Sequence, residues 1–104
     1  MGKMSLYLVS YDVVEGDSFD YEPFFASLKS MSGEKILQSA WVIPAENGSQ
    51  DTIYNRIQPL VNFHDRILVI EIVGAATWDK LLIEGERFRL LLRKYSRDYQ
   101  NFPS

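Results

Sequence analysis

The sequence predicts a single α+β domain, in which strands and helices follow one another along the chain. Three segments, residues 4–12, 35–44 and 66–73, are rich in β-branched and aromatic residues, which is typical of strands. Three other segments carry apolar residues at spacings of three and four, which is typical of helices. A chain of 104 residues with 46% hydrophobic residues is long enough for one such domain and its core. It contains no cysteine, which excludes disulfides and thiolate metal sites.

The first strand is apolar on both faces and ends on a carboxylate. Leu6 and Leu8 share one face, and the other face carries Tyr7, Val9 and Tyr11. Such a strand is expected at the centre of a sheet that is covered on at least one side. It ends at Asp12, and four more acidic residues follow within a short stretch: Glu15, Asp17, Asp20 and Glu22.

The first helix is expected between Asp20 and Gly33. Asp20 is a candidate N-cap, and Pro23 falls in the first turn, where its missing N–H costs nothing. One apolar face is formed by Phe24, Phe25, Leu28 and Met31. The pair Ser32-Gly33 is a typical helix end.

The middle of the chain predicts a second β segment and a second helix. Residues 35–44 form either one strand or two short strands that meet near Ser39-Ala40. Asn47-Gly48 predicts a turn, after which Ser49 or Asp51 caps a helix. The buried face of that helix carries Ile53, Ile57 and Leu60, and Pro59 is expected to fray or kink its end.

The last third predicts a strand and a C-terminal helix. A turn at residues 62–65 leads into the strand 66–73, and a helix is expected at 84–97. One side of the helix is apolar, with Phe88, Leu91, Leu92 and Tyr95, and another is basic, with Arg89, Arg93 and Arg97. The complete order predicts a ferredoxin-like β-α-β-β-α-β sandwich with an added C-terminal helix, in one domain spanning residues 1–104. Because its two core helices lie on one face of the sheet, we expect a homodimer to cover the other.

The charge distribution is uneven. The net charge of −3 argues mildly against a protein that simply coats nucleic acid. Acidic residues dominate up to Glu22, and basic residues dominate from Lys80 onward. No apolar run approaches the roughly 18 residues of a membrane span, and no signal peptide is evident, so we expect a cytoplasmic protein with no membrane partner. A second methionine at position 4 leaves open whether residues 1–3 are a cloning remnant.

Three short motifs resemble a known family. The strand Leu6-Tyr7-Leu8-Val9-Ser10-Tyr11-Asp12 resembles the opening strand of the Cas-two family, the small CRISPR-associated ferredoxin-like proteins, which ends in Tyr-Asp. Ser39-Ala40-Trp41 looks like the family's Ser-Val-Phe, and Asp65-Arg66-Ile67 is similar to the entry into its last core strand. The motifs occur in the family's order across residues 4–73, and they also resemble the VapD-type toxin ribonucleases and the stand-alone SinR-family relatives.

The resemblance implies a homodimer in which each chain contributes one Asp to a shared Mg²⁺ site. On that basis Asp12 is the expected catalytic and metal-ligating residue, with Ser39 and Trp41 in supporting positions. The expected activity is Mg²⁺-dependent cleavage of RNA or DNA. Other members act without chemistry, as dimeric scaffolds, so a non-catalytic interaction or regulatory module is the alternative. The acidic stretch after Asp12 favours this alternative, because the family often places basic residues there.

Two sets of residues therefore carry competing interpretations. Asp12 is either a ligand for a hard divalent cation or a turn residue at the end of a strand. The basic stripe of Arg89, Arg93 and Arg97 either contacts phosphate or forms a solvated face at a helix C-terminal end.

Overall fold

The computed structural model describes residues 3–14 and 18–100, apart from the side chains of residues 99 and 100. Four strands and four helices follow one another in the order β1 (Met4–Asp12), α1 (Glu22–Ser30), β2 (Glu34–Leu37), β3 (Ala40–Glu46), α2 (Gln50–Ile57), β4 (Arg66–Ile72), α3 (Gly85–Tyr95) and α4 (Arg97–Gln100). The strands form one antiparallel sheet in the order β2-β3-β1-β4. This is the ferredoxin-like arrangement, and it confirms the α+β class that the sequence predicts.

The first face of the sheet packs against α1 and α2. Aromatic and branched side chains of β1 and β3 meet apolar side chains of both helices, and all are buried: Tyr7, Val9, Tyr11, Trp41 and Ile43 from the sheet, with Phe24, Leu28, Ile53 and Ile57 from the helices. The alternation of β1 explains this core, because successive side chains of a strand point to opposite faces. The same alternation sends Leu6 to the second face, where it is also fully buried.

The second face is covered in part by α3. Phe88, Leu91 and Leu92 of this helix pack against the buried side chains Leu6, Ile36, Ala40 and Val42. Trp78, in the segment before α3, meets Phe88 edge to face at a centroid distance of 4.9 Å. The sequence assigned this face to a second copy of the chain, whereas the C-terminal helix of the same chain covers part of it.

The end of α1 shows why a serine and a glycine follow one another there. Ser32 is the left-handed residue, with φ of 63°, and its N–H donates to Lys29 O while the Gly33 N–H donates to Leu28 O. These two bonds form a Schellman motif. Gly33 is required for space, because a Cβ at this position would lie 2.5 Å from the carbonyl oxygen of Leu28.

Four local expectations are resolved by the structure. The second β segment is two strands, β2 and β3, joined by a turn at residues 38–39. The N-cap of α1 is Tyr21 rather than Asp20, although the Asp20 carboxylate accepts the N–H of Glu22. Ser49 occupies the N-cap position of α2 without a side-chain capping bond, and the helix tightens into a 3₁₀ turn at Gln58–Leu60, at the end that Pro59 was expected to fray or kink.

The C-terminal helix is shorter than the predicted span of 84–97. It ends at Tyr95, because Ser96 adopts an extended conformation with ψ of 131°. The Ser96 hydroxyl donates to Val73 O at 2.7 Å, and the Asp98 N–H donates to the same oxygen at 2.9 Å. The bonds gained at the end of β4 compensate for interrupting the helix, and a short helix, α4, follows. Within the described ranges, no helix has the length and apolar character needed to cross a membrane.

Candidate functional site around Asp12

Asp12 lies at the end of β1, directly opposite Arg66, the first residue of β4. Arg66 Nη1 donates to Asp12 Oδ2 at 3.4 Å, and the two side chains are 84% and 75% exposed. An open depression of about 300 Å³ surrounds the pair and is also lined by Ser10, Tyr11 and Ile67. The sheet therefore fixes the backbone of Asp12, and its carboxylate oxygens are open to solvent.

The ion pair between Asp12 and Arg66 is weak enough to open. Exposed pairs contribute about 0–1 kcal/mol to stability, and the long distance places this pair at the lower end. A divalent cation or a phosphate group could therefore replace either partner at little cost. The geometry leaves both side chains available to ligands of opposite charge.

Buried aromatic residues position the strand end that carries Asp12. The Tyr11 N–H donates to Ser39 O at 3.0 Å, and Trp41 Nε1 donates to the Tyr11 hydroxyl at 3.0 Å. The Trp41 side chain is buried, whereas Ser39 is exposed and contributes its backbone carbonyl. Two of the three motifs that suggested a family are thus in contact, and their shared role here is to hold the end of β1. In the described part of the chain, neither Ser39 nor Trp41 forms a hydrogen bond with the Asp12 carboxylate.

Asp65 ties the loop after β1 to the turn before β4. Its carboxylate accepts the Tyr21 hydroxyl at 2.6 Å, the Asn62 N–H at 2.8 Å and the Val14 N–H at 3.4 Å. The sequence predicted a turn at residues 62–65, but not that Asp65 would bond to the loop after β1. The pattern of Asn followed three residues later by Asp is the available signal, since both side chains commonly bond to nearby backbone groups.

The acidic stretch does not complete a metal site within one chain in the part that the structure describes. No group of three or more His, Asp or Glu side chains is close enough there to hold an ion. Asp20 is engaged with the backbone of Glu22. Glu15 and Asp17 lie outside the described residues. Mg²⁺ is commonly held by one or two carboxylates together with water and substrate phosphates, so the Asp12 carboxylate alone supplies only part of a ligand set.

The predicted basic stripe is divided by its contacts. Arg97 forms two hydrogen bonds with Glu71, the shorter from Nε at 2.6 Å. Arg89 lies 3.6 Å from Glu86 and 5.3 Å from the centre of the Trp78 ring. Arg93 is exposed, and in the described ranges no ion pair joins it to an acidic side chain. Of the three arginines, Arg93 is the best placed to meet phosphate without first breaking a contact.

An apolar surface adjoins Asp12 on the second face of the sheet. Leu68 and Ile70 of β4 are 54% and 49% exposed on this face, where they lie beside their strand partners Ser10 and Leu8. We call Leu68 and Ile70 the β4 ridge. Beside it, a groove of about 420 Å³ runs along the edge of α3 and is lined chiefly by Leu8, Ile36, Leu37, Ile72, Trp78 and Phe88. The register of the sheet places Asp12 at one end of this surface, next to Leu68.

The sequence did not predict the residue that pairs with Asp12. Arg66 was assigned to a strand and to a family motif but not to Asp12, because the pairing register of β1 and β4 cannot be read from either segment alone. An apolar face that one chain leaves uncovered was expected, but the sequence could not show that Leu68 and Ile70 are the residues of β4 that stay exposed on it. Only the position of α3, which leaves this side of the sheet open, exposes the two side chains.

Known proteins support the fold of this chain but do not show its function. No family model matches the sequence. The crystal structure of the hypothetical protein TT1823 from Thermus thermophilus is similar to this chain, with a TM-score of 0.60 and 20% sequence identity. The likeness covers 77% of this chain and 96% of the Thermus protein. At this identity it shows that the two chains share a fold.

Proposed function

We propose that this chain is a divergent relative of the Cas-two and VapD-type proteins that acts on RNA or DNA as a homodimer. In the proposed dimer, each protomer contributes its Asp12 carboxylate to one Mg²⁺ site, and the activity is hydrolysis of a phosphodiester. The three ordered motifs support the relationship, and the ferredoxin-like fold is compatible with it.

The observation that carries the proposal is the position of Asp12 beside an uncovered apolar surface. The β4 ridge exposes two large aliphatic side chains, Leu68 and Ile70, next to a groove lined by apolar residues. A two-fold interface uses the same patch on both partners, and a ridge beside a groove on one face can be complementary to itself. If two chains join here about a two-fold axis that lies near the Asp12 end of the surface, their Asp12 carboxylates approach one another.

The residues around Asp12 have defined roles in this proposal. Asp12 provides a hard oxygen ligand for the cation, and Arg66 becomes free to contact a phosphate oxygen once Asp12 is engaged. Tyr11 and Trp41 fix the backbone from which Asp12 projects. Mg²⁺, when bound, would neutralise charge that develops on the phosphate during hydrolysis.

A second candidate is a non-catalytic dimeric interaction or regulatory module. The contact that favours it is the ion pair of Asp12 with Arg66, which gives the carboxylate a structural partner within its own chain. In this case the same surface joins two chains, and the Asp12–Arg66 pair contributes only to the end of the sheet.

A cleavage assay separates the two candidates. Purified wild-type protein, Asp12→Asn and the control Asp51→Asn are incubated with a mixed set of single- and double-stranded RNA and DNA substrates, with Mg²⁺ or with EDTA. Asp51 is an exposed carboxylate on α2, so its substitution removes the same charge far from the site. We expect Mg²⁺-dependent cleavage by the wild type and by Asp51→Asn, and its loss in Asp12→Asn.

The opposite results have a clear meaning. Cleavage that persists unchanged in Asp12→Asn would remove Asp12 from the reaction and would point to a contaminating nuclease. Absence of Mg²⁺-dependent cleavage in all three proteins, combined with an intact dimer, would favour the non-catalytic module.

A further inference from the structure

The turn between α2 and β4 presents a large aromatic side chain to solvent. Phe63 is 86% exposed, which is the highest value among the large hydrophobic residues that the structure describes. Isolated exposed hydrophobic residues are common and need no explanation by themselves. Here, however, the aromatic ring belongs to a turn whose backbone is fixed by several hydrogen bonds.

Three hydrogen bonds fix the backbone of this turn. The Phe63 N–H donates to Asn62 Oδ1 at 2.9 Å, and the Asn62 N–H donates to Asp65 Oδ2 at 2.8 Å. The Asp65 N–H returns a bond to Asn62 O at 2.9 Å. Asp65 is itself held by the Tyr21 hydroxyl. The turn is therefore preorganised. Its hydrogen bonds fix the backbone that exposes Phe63 to solvent.

One side of the Phe63 ring is already in contact with a second, tilted aromatic ring. The ring of His64 lies 3.8 Å away between centroids, with the planes inclined at 40°. Since the side chain of Phe63 is still largely exposed, the opposite side of its ring is free to receive another flat group. The pair forms a stacking platform of two rings, which we call the Phe63 platform.

The Phe63 platform lies at the same end of the sheet as Asp12. The turn leads directly into Arg66, whose guanidinium contacts the Asp12 carboxylate. The Val14 N–H, two residues beyond Asp12, donates to Asp65 in the same turn. A flat apolar ring and an exposed cation thus lie within four residues of the chain, and the Asp12 carboxylate faces that cation from the neighbouring strand.

We propose that the Phe63 platform stacks on an unpaired base of a single-stranded nucleic acid, while Arg66 contacts the adjoining phosphate. This inference rests on the proposed function, and it specifies the substrate class. A base offers its flat face only when it is unpaired and unstacked, so a duplex cannot engage the platform in this way. Stacking accepts any base, so the proposal predicts little sequence preference.

The charge around the platform is compatible with a polyanion. Both oxygens of Asp65 accept hydrogen bonds from the protein, and Asp12 is paired with Arg66. A phosphate group that meets Arg66 replaces a weak, exposed contact. The negative net charge of the whole chain predicts modest affinity, and a single phosphate contact, from Arg66, predicts a shallow dependence on salt.

The test is a binding titration in EDTA, which excludes cleavage. Single-stranded DNA and single-stranded RNA of matched length, each with one 2-aminopurine, are titrated with wild-type protein, Phe63→Ala, Phe63→Trp and Leu90→Ala. The fluorescence of 2-aminopurine is quenched when the base stacks on an aromatic ring. Leu90 is an exposed residue of α3, 55% accessible, and serves as the matched loss of apolar surface.

We expect Phe63→Ala to weaken binding by roughly tenfold, since stacking contributes about 1–3 kcal/mol per base, and to abolish the quenching. Phe63→Trp retains both signals, and Leu90→Ala behaves as the wild type. The two oligonucleotide arms show whether the ribose hydroxyl contributes. A duplex of the same sequence should bind equally to the wild type and to Phe63→Ala.

Several results would overturn the inference. They are an unchanged affinity in Phe63→Ala, an equal loss in Leu90→Ala, an absence of binding by the wild type, or a change of oligomeric state in Phe63→Ala that accounts for the loss. The titration and the cleavage assay test different hypotheses. Base stacking without cleavage would support the role of the Phe63 platform and contradict the proposed catalytic activity. Cleavage that depends on Asp12 but not on Phe63 would support the catalytic activity and contradict the role of the Phe63 platform.

Discussion

Arg87 and Glu34 fasten the first turn of α3 to an edge strand of the sheet. Arg87 Nη2 donates to Glu34 Oε2 at 2.6 Å, and its Nε donates to Oε1 at 3.1 Å. These hydrogen bonds, and the attraction between the charges, raise the pKa of Arg87 above its usual value. Arg97 and Glu71 form an equivalent pair at the opposite edge strand. The segment from α3 to α4 is therefore held at both sides of the sheet that it crosses.

The Arg87–Glu34 pair is expected to contribute a small coupling that salt removes. Single substitutions Arg87→Gln and Glu34→Gln and the double substitution form a cycle, with stability measured by urea denaturation. Both side chains are partly exposed, so the loss should be well below that of a core truncation. At about 1 M salt, where the Debye length is roughly 3 Å, the coupling should largely vanish. A coupling that salt does not alter would mean that packing, rather than charge, links the two residues.

The apolar side of α3 should contribute far more than its ion pairs. Leu92 is fully buried against the second face of the sheet. Leu92→Ala should lower the free energy of unfolding by about 2–5 kcal/mol, through lost burial and the cavity left behind. The neighbouring control Leu90→Ala removes an exposed side chain and should change stability by no more than about 0.5 kcal/mol. Equal losses in the two variants would indicate that α3 is not packed on the sheet in solution.

The contrast within α3 also shows what could be predicted from the sequence. Its apolar stripe predicted both the helix and the buried side chains Phe88, Leu91 and Leu92, because a spacing of three and four places residues on one face. The early end of the helix could not be predicted. It depends on Ser96 meeting the carbonyl of Val73, a residue 23 positions earlier in the chain.

The candidate site shows the same division between local and long-range information. Asp12 could be found from the sequence, because a strand that ends on a carboxylate is a local pattern. Arg66 could not be placed opposite it, since that pairing joins residues 54 positions apart. The three bonds to Asp65 likewise depend on the folded positions of two separate loops.

Substitutions at two adjacent residues after α1 should have opposite effects on stability. Ser32→Gly should stabilise the protein by up to about 1 kcal/mol, because Ser32 has a positive φ that glycine adopts without a Cβ penalty. Gly33→Ala should destabilise it by more than 1 kcal/mol, roughly, since its Cβ would lie 2.5 Å from Leu28 O and 3.2 Å from the Trp41 ring. Thermal and urea denaturation of both variants test this. Stabilisation by Gly33→Ala would contradict the close approach.

Removal of the Tyr21 hydroxyl should loosen the loop that follows Asp12. Its bond to the Asp65 carboxylate is 2.6 Å long, and hydrogen bonds to charged groups contribute about 1.5–3 kcal/mol. Tyr21→Phe should therefore lower stability by about that amount or somewhat less, because the site is partly open to water. Amide hydrogen exchange should increase at Val14 and Asn62, which share the same carboxylate. Unchanged exchange at both amides would show that Tyr21 does not help to position Asp65.

Disruption of the β4 ridge should separate the proposed dimer and reduce activity together. Leu68→Asp places a charge in the middle of the apolar surface while leaving the Asp12 side chain intact, and Tyr54→Asp introduces the same charge on α2, at an exposed position away from this surface. Sedimentation equilibrium should show a dimer for the wild type and Tyr54→Asp, and a monomer for Leu68→Asp. Because one chain supplies a single carboxylate, the monomer should also lose Mg²⁺-dependent cleavage. A monomeric Leu68→Asp that cleaves as fast as the wild type would show that one Asp12 is sufficient, and a dimeric Leu68→Asp would place the interface elsewhere.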